Sequence, residues 1–201
     1  MAAAVTRPSV LVFDLGGVLV DTSGFDRLNE LLGTPIALSA LKDAWLVSPA
    51  VRRFELGISS PEEFARSLVG EWGLACQPRD FLAEFAAWPK GLYPGVTELL
   101  TQLRQRYKVV CLSNSNVLHW ARMRGFLEHF HLALSSHLLG LIKPDPACFN
   151  RALQECGVPA TAVAFFDDSL ANVVSARALG IRGIHVSGFA QVERAARAFM
   201  H

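Results

Sequence analysis

The chain has 201 residues, of which 51% are hydrophobic and 18% are charged. A sequence this apolar can bury enough surface to offset chain entropy, which excludes a disordered protein, and its length suits one domain or a domain with an insertion. Nineteen basic and eighteen acidic residues leave a formal net charge of +1, so no charge imbalance points to nucleic acid or anionic lipid as a partner.

The sequence also contains no signal for a membrane or a secretory route. Its apolar runs fall short of the 18 or so residues that a bilayer span needs, and the first residues lack the pattern of a secretory signal. The four cysteines show no CxxC spacing, so neither a zinc site nor a disulfide framework is indicated and all four are expected to be buried. We therefore expect a cytoplasmic protein, as a monomer or small homo-oligomer, that binds neither nucleic acid nor membranes.

Five short apolar runs are typical of strands that are buried on both faces of a parallel sheet. They occupy residues 10–14, 109–112, 132–134, 162–166 and 184–186. The segments between the later runs have helical periodicity and helical ends, as where Asp145-Pro146 begins a helix that Gly157 ends. Because helices and strands alternate from residue 91 onward, we predict an α/β fold with a doubly wound, Rossmann-like parallel sheet.

Residues 22–90 interrupt this alternation with a block of helices. The sequence Ser60-Pro-Glu-Glu63 predicts a capping box at the start of one of them, and Gly73 predicts its end. We divide the chain into an α/β core of residues 1–21 and 91–201 and a small helical cap of residues 22–90. Because the insertion follows the first strand, we expect it over the carboxyl edge of the sheet, where open α/β sheets bind ligands.

Polar residues follow the predicted strands at that edge. Asp14 ends the first strand, Ser113 and Asn114 follow the second, and Asp168 ends a later one. Acids at the ends of apolar strands repel one another, so Asp14 and Asp168 predict a site for a hard cation such as Mg²⁺. A nearby lysine such as Lys143 can neutralise a carboxylate or a phosphate, and hydroxyl and backbone N–H groups can hold phosphate oxygens.

Four motifs in this order resemble those of the haloacid dehalogenase-like hydrolases. They are Phe13-Asp14-Leu-Gly-Gly-Val18, Leu112-Ser113-Asn114, Lys143-Pro-Asp-Pro146 and Phe165-Phe-Asp-Asp168-Ser-Leu-Ala-Asn172. The resemblance covers the whole chain, because residues 22–90 are similar to the helical C1 cap that subfamily I inserts after its first motif. Phe54-Glu-Leu-Gly57 and residues 113–119 are similar to the YihX-like branch of sugar-1-phosphate phosphatases.

The resemblance implies a Mg²⁺-dependent phosphatase that acts on a small phosphorylated metabolite, a sugar phosphate being one candidate. Asp14 is then the nucleophile that forms an aspartyl-phosphate. Asp14, the backbone carbonyl of Gly16 and Asp168 hold the magnesium ion. Ser113, the backbone of Asn114 and Lys143 position the phosphoryl group, and Lys143 also assists catalysis. Asp167 and Asn172 are expected to support the site without binding the metal.

Gly16 departs from the pattern of most phosphatases of this family, which carry a general acid at that position. General acid–base help is worth about 10²–10⁴-fold, so esters with good leaving groups are expected to react faster than alkyl esters. If both react equally, another group supplies the proton, and the sequence offers Asp21 and His119. Arg52, Arg53 and Glu55 of the insertion are candidates for contact with substrate, but a solvated helix face is the expectation for such charges. The tryptophans of the insertion are expected in the core of the cap.

The sequence alone leaves two other functions open. A haloacid dehalogenase uses the same aspartate nucleophile without a metal, and Gly16 permits this reading. The acidic pair Asp167-Asp168 argues against it, because a metal-free reaction does not need two acids there. A non-hydrolytic protein that binds a phosphorylated metabolite is the other alternative.

Overall fold

The computed structural model describes residues 7–22 and 24–200, so residues 1–6, 23 and 201 of the predicted core and cap lie outside it. The strands are β1 (Val10–Phe13), β2 (Val20–Thr22), β3 (Pro89–Leu92), β4 (Lys108–Ser113), β5 (Leu132–Ser135), β6 (Val163–Asp167) and β7 (Arg182–His185). The helices are α1 (Gly24–Leu31), α2 (Leu38–Val47), α3 (Pro49–Glu55), α4 (Pro61–Trp72), α5 (Pro78–Phe85), α6 (Val96–Leu103), α7 (Val117–Arg122), α8 (Arg124–Leu127), α9 (Ser136–Leu139), α10 (Pro146–Cys156), α11 (Leu170–Ala178) and α12 (Phe189–Arg197).

Five strands form one parallel sheet in the order β5-β4-β1-β6-β7. All five predicted apolar runs are strands of this sheet, and the predicted fold class is confirmed. The chain builds the sheet outward from β1 to β5 and then returns to add β6 and β7 on the other side. The carboxyl ends of β1 and β6 therefore flank the point where the strand order reverses, which is where doubly wound sheets bind ligands.

Alternate residues of β1 pack on opposite faces of the sheet, as the two-residue period of a strand requires. Leu11 and Phe13 belong to an apolar cluster that includes residues of α6 and α12. Val10 and Val12 belong to a second cluster, with residues of α10 and α11. The Phe13 ring stacks on Phe166 of β6 with centroids 4.6 Å apart. Helices on both faces hold β1 rigidly, and with it the residues that follow its end.

Helices α1 to α5 pack around a third apolar cluster, which is rich in aromatic side chains. The predicted capping box at the start of α4 is present: Ser60 accepts a hydrogen bond from the Glu63 N–H, and Glu63 accepts one from the Ser60 N–H. Gly73 ends α4 in the left-handed conformation, as expected. Trp45 and Trp88 are buried in this cluster as predicted, and the partly buried Trp72 packs against it.

The sequence predicts a block of helices in residues 22–90, and this prediction is wrong at both ends. Strand β2 pairs with β3 in a short antiparallel ladder where the chain leaves the sheet and returns to it. Pro89 and Gly91 are poor strand formers, so β3 has no strand-like pattern and is defined only by its partner. The predicted boundaries of the cap fall within this ladder and stay a prediction.

Among residues 7–22 and 24–200, no helix is long and apolar enough to cross a membrane. The four cysteines are free. Cys111, Cys148 and Cys156 are buried, whereas Cys76 is only half-buried, so the expectation of burial fails at one position.

Candidate active site

A cavity of about 560 Å³ opens at the carboxyl ends of β1, β4 and β6 and beneath helices of the insertion. Every site residue predicted from the sequence lines this cavity: Asp14, Gly16, Ser113, Asn114, Lys143 and Asp168. They come from four separate segments of the chain. Three of these segments follow β1, β4 and β6, whose carboxyl ends lie at one edge of the sheet, whereas Lys143 lies in the loop between α9 and α10. The structure thus brings the predicted residues together.

Lys143 forms ion pairs with two carboxylates. Its Nζ donates to Asp14 Oδ1 at 2.8 Å and to Asp167 Oδ2 at 2.7 Å, and its side chain is buried. Burial disfavours the charged ammonium, but Asp14 and Asp167 outweigh this effect and raise the pKa of Lys143 above its ordinary value. Burial raises the pKa of Asp14 to about 7, assisted by Asp167 and Asp168 and opposed by Lys143.

Asp167 is fully buried, and its hydrogen bonds are made within the protein. Its Oδ1 accepts from the Ser169 N–H at 2.8 Å, and both of its carboxylate oxygens accept from Asn172 Nδ2 at 3.0 Å. With Lys143 on Oδ2, both oxygens are engaged, so the side chain positions the ammonium of Lys143. Asp14 and Asp168, at the ends of β1 and β6, both line the cavity.

The carboxylates of this site fit a divalent cation. Asp14, Asp167 and Asp168 each offer an oxygen, and these oxygens lie within 4.8 Å of one another. Burial and the charge of Asp167 raise the pKa of Asp168. Gly17 has φ 72° and lies close to the Asp168 carboxylate, because a Cβ added to Gly17 would be 2.9 Å from Asp168 Oδ2. A glycine loop therefore leaves room at the carboxylates, and oxygen donors are the ligands that Mg²⁺ prefers.

The side chain of Asn114 has a role that the sequence did not indicate. Its Nδ2 donates to the Lys143 carbonyl and its Oδ1 accepts from the Lys143 N–H, both at 2.9 Å. This pair of hydrogen bonds fixes the loop that carries Lys143 against the end of β4. The neighbouring Ser113 lines the cavity with its side chain largely buried.

Asp21 and His119 were the candidates for supplying the proton that Gly16 cannot supply, and neither is suitable. His119 Nε2–H donates to the Phe85 carbonyl at 2.7 Å, and its Nδ1 accepts from Asn116 Nδ2 at 3.3 Å. Burial lowers the pKa of His119 to about 4, so its ring is neutral and both nitrogens are engaged near pH 7. Asp21 is exposed on β2, and it is not one of the residues that line the cavity.

Glu55 does not lie on the solvated helix face that was expected for it. Arg52 and Arg53 lie on an exposed face of α3 as expected, but Glu55 is half-buried and lines the cavity together with Asp14 and Lys143. Burial raises the pKa of Glu55 to about 7. Periodicity could not find it, because α3 has seven residues and ends at Glu55. The Phe54-Glu-Leu-Gly57 motif was the available signal.

The insertion supplies an apolar wall and rim to the cavity. Trp45, Phe85 and Trp88 contribute aromatic edges from the core of the insertion. Leu38, Leu46 and Leu170 also line the cavity, and they are 43%, 48% and 57% exposed. Lys42 of α2 lies at the same opening, with its Nζ 3.9 Å from Asp168 Oδ2. Exposed apolar side chains around a cavity are typical of ligand-binding sites.

Comparisons with known proteins agree with this geometry. The family model of haloacid dehalogenase-like hydrolases matches residues 8–180. A phosphatase of Mycobacterium tuberculosis is 30% identical over 87% of this chain and 85% of its own length. A sesquiterpene phosphatase of Aspergillus oryzae is 28% identical over 88% of each chain.

Solved structures share the fold. A magnesium complex of a HAD-family enzyme from Bacteroides thetaiotaomicron superposes with a TM-score of 0.74 at 22% identity, over 91% of this chain and 95% of the other. Dehalogenases are also among the solved proteins that share this fold. At these identities the likeness extends to the fold alone.

Proposed function

The chain belongs to the haloacid dehalogenase-like hydrolases, and from this premise we propose that it is a Mg²⁺-dependent phosphatase acting on a small phosphorylated metabolite. The observation that carries the proposal is the meeting of Asp14, Lys143 and Asp168 in one cavity. The two relatives named as phosphatases, which match 87% and 88% of this chain, support it. We also propose that residues 22–90 form the cap that covers this cavity. We propose the cytoplasm as the location, because the cysteines are free and cytoplasmic thiols stay reduced.

In this proposal Asp14 attacks phosphorus and forms an aspartyl-phosphate, which water then hydrolyses. Lys143 holds the Asp14 carboxylate in place, and the Ser113 hydroxyl and the Asn114 N–H bind phosphate oxygens at the end of β4. Asp14, Asp168 and the Gly16 carbonyl would hold magnesium, which neutralises charge on the phosphate oxygens when bound.

Electrostatics explain why Lys143 alone is insufficient. Two like unit charges about 4 Å apart repel by roughly 4 kcal/mol at an effective dielectric constant of 20. The Lys143 ammonium is already shared between two carboxylates, Asp14 and Asp167. A dianionic phosphate that approaches Asp14 and Asp168 therefore needs further positive charge, which a divalent cation at these carboxylates provides.

We expect the purified protein to release phosphate from p-nitrophenyl phosphate in the presence of Mg²⁺ and to lose this activity in excess EDTA. Chloroacetate is expected to yield no halide, because the acidic cluster suits a metal and a phosphate better than a metal-free displacement. Phosphate release and halide release measured on one preparation distinguish the two reactions. Undiminished phosphate release in EDTA, or tight phosphate binding with no release, would contradict the proposal.

Magnesium is expected to raise the melting temperature more at pH 8 than at pH 5.5. The pKa of Asp14 is raised above its unfolded value, so the metal-free protein loses stability as the pH rises from about 4 to about 7 and this buried acid ionises. Magnesium binds the ionised carboxylates and restores that stability, whereas protons compete with it at low pH. Thermal unfolding with and without Mg²⁺ measures the effect, and equal shifts at both pH values would contradict it.

The substrate class is proposed from the cavity wall and from the sequence. The resemblance to the YihX-like branch favours a sugar phosphate, whereas the exposed leucines at the rim favour an organic group with an apolar face. Parallel measurement of kcat/KM for a sugar 1-phosphate and for phenyl phosphate compares the two classes. We expect the aryl ester to be preferred, and the reverse ranking would assign the cavity to sugars.

A further inference from the structure

We propose that Glu55 is the general acid and base of the reaction and replaces the acid that is missing at Gly16. The inference rests on the proposed phosphatase function and adds a catalytic residue that comes from the insertion. Gly16 has room for a side chain, because the nearest atom to a Cβ added there would be a Thr22 methyl carbon at 3.7 Å. Steric crowding therefore does not explain why no acid is present at this position.

Both flanks of Glu55 are fixed by packing. The preceding Phe54 is buried, and its ring stacks on Phe64 of α4 with centroids 4.3 Å apart and planes 10° from parallel. On the other side, Gly57 has φ 72°, and a Cβ there would lie 2.5 Å from the His137 carbonyl oxygen. The end of α3 is therefore pressed against α9 of the sheet domain, a contact that only glycine permits.

The contact with α9 connects the end of α3, where Glu55 lies, to the loop after β4 that is proposed to bind the phosphate. Ser136 of α9 exchanges hydrogen bonds of 3.0 Å with the backbone of Ser115: its Oγ accepts from the Ser115 N–H and donates to the Ser115 carbonyl. Ser115 lies in the loop after β4, next to Asn114. Glu55 is thus held at the cavity by a chain of contacts that runs from α3 through α9 to the phosphate-binding loop.

The charge environment suits a carboxyl that both gives and takes a proton. Burial and the charge of Asp14 raise the pKa of Glu55, while the Trp45 indole and Lys143 lower it, and the result is about 7. The other charged side chains that line the cavity are Asp26, Lys42, Asp43 and Asp168. Asp26 and Asp43 are exposed to solvent, whereas Glu55 is half-buried. A carboxyl with a pKa near the working pH is suited to general acid–base catalysis.

Each half of the reaction uses Glu55 once. In the first, an Asp14 oxygen bonds to phosphorus, the bond from phosphorus to the ester oxygen breaks, and the Glu55 carboxyl gives its proton to that oxygen. In the second, the Glu55 carboxylate takes a proton from water as the water oxygen bonds to phosphorus. The bond from phosphorus to Asp14 breaks, its electron pair returns to the Asp14 carboxylate, and Glu55 is protonated again.

The test compares Glu55→Gln with Glu62→Gln, the same substitution at an exposed position of α4. On an alkyl phosphate, Glu55→Gln is expected to lower kcat by about 10²–10⁴-fold, because the leaving oxygen is no longer protonated. p-Nitrophenolate leaves without a proton, so this variant is expected to release one equivalent of it per enzyme in a rapid burst. Slow steady-state turnover then follows, because the aspartyl-phosphate lacks its base.

Glu62→Gln is expected to behave as the wild type, without a burst. An equal loss of Glu55→Gln activity on alkyl and nitrophenyl esters with no burst would overturn the inference, since a structural role produces that pattern. Unchanged kcat on both esters would overturn it as well. If the wild type itself releases no phosphate in Mg²⁺, the proposed function fails instead, so the two failures are distinguishable.

Discussion

Asp14→Asn is expected to lower kcat for p-nitrophenyl phosphate by at least about 10⁴-fold, as the loss of a catalytic nucleophile does. An amide has nearly the size of the carboxylate but does not attack phosphorus. Lys143 keeps its second partner, Asp167, so the variant is expected to remain folded. Steady-state phosphate release in saturating Mg²⁺ measures the loss.

Asp21→Asn is the matched control. It makes the same change at an exposed position of β2, outside the cavity lining. We expect it to change kcat by no more than a factor of about two, which is small beside the tenfold change that corresponds to about 1.4 kcal/mol of activation free energy. Comparable losses in the two variants would mean that Asp14 has no special role, and a large loss only in Asp21→Asn would restore Asp21 as a catalytic candidate.

Lys143→Met is expected to abolish activity and to reduce the free energy of unfolding by about 3–5 kcal/mol at pH 8, as the removal of one partner of a buried ion pair does. The ammonium neutralises Asp14 and Asp167, and the latter is fully buried. Without it, two carboxylates stand close together, and no other lysine or arginine among residues 7–22 and 24–200 is buried. Urea unfolding measured by circular dichroism at pH 8 gives the change.

A second substitution separates the two roles of Lys143. In Lys143→Met/Asp167→Asn the buried negative charge is lower by one, so part of the lost stability is expected to return while activity stays absent. Lys90→Met, at an exposed position of β3, controls for the loss of a lysine and is expected to change stability by less than about 0.5 kcal/mol. If Lys143→Met unfolds no more easily than Lys90→Met, the ion-pair account is wrong.

Much of the fold follows from local rules that a sequence displays directly. The strand runs of the sheet alternate between its two faces, and Asp145 caps α10 by accepting from the Ala147 N–H, as its position before a proline predicts. Five of the six predicted site residues meet because they lie at or just after the ends of parallel strands: Asp14, Gly16, Ser113, Asn114 and Asp168. Their convergence at one sheet edge needs only the strand pattern and the rule for where such sheets bind ligands. Lys143 lies instead in the loop between α9 and α10, and its contact with Asn114 holds it at the same edge.

The contribution of the insertion depends on tertiary contacts that no local pattern encodes. Glu55 lines the cavity at the end of α3, where Gly57 approaches the backbone of His137, eighty positions away. The Asn114 side chain pairs with the backbone of Lys143 for the same kind of reason. Strand β3 exists only as the partner of β2. In each case the decisive partner is distant in sequence, and periodicity and capping signals say nothing about it.

In the proposed reaction Asp14 carries the phosphoryl group during turnover. Rapid quenching of the wild type with p-nitrophenyl phosphate and Mg²⁺, followed by reduction with borohydride and peptide mass spectrometry, detects this intermediate, because borohydride converts an acyl phosphate of aspartate to homoserine. We expect homoserine at position 14 in samples with Mg²⁺, and its absence in EDTA and in Asp14→Asn. Conversion at another aspartate, or none during active phosphate release, would contradict the account.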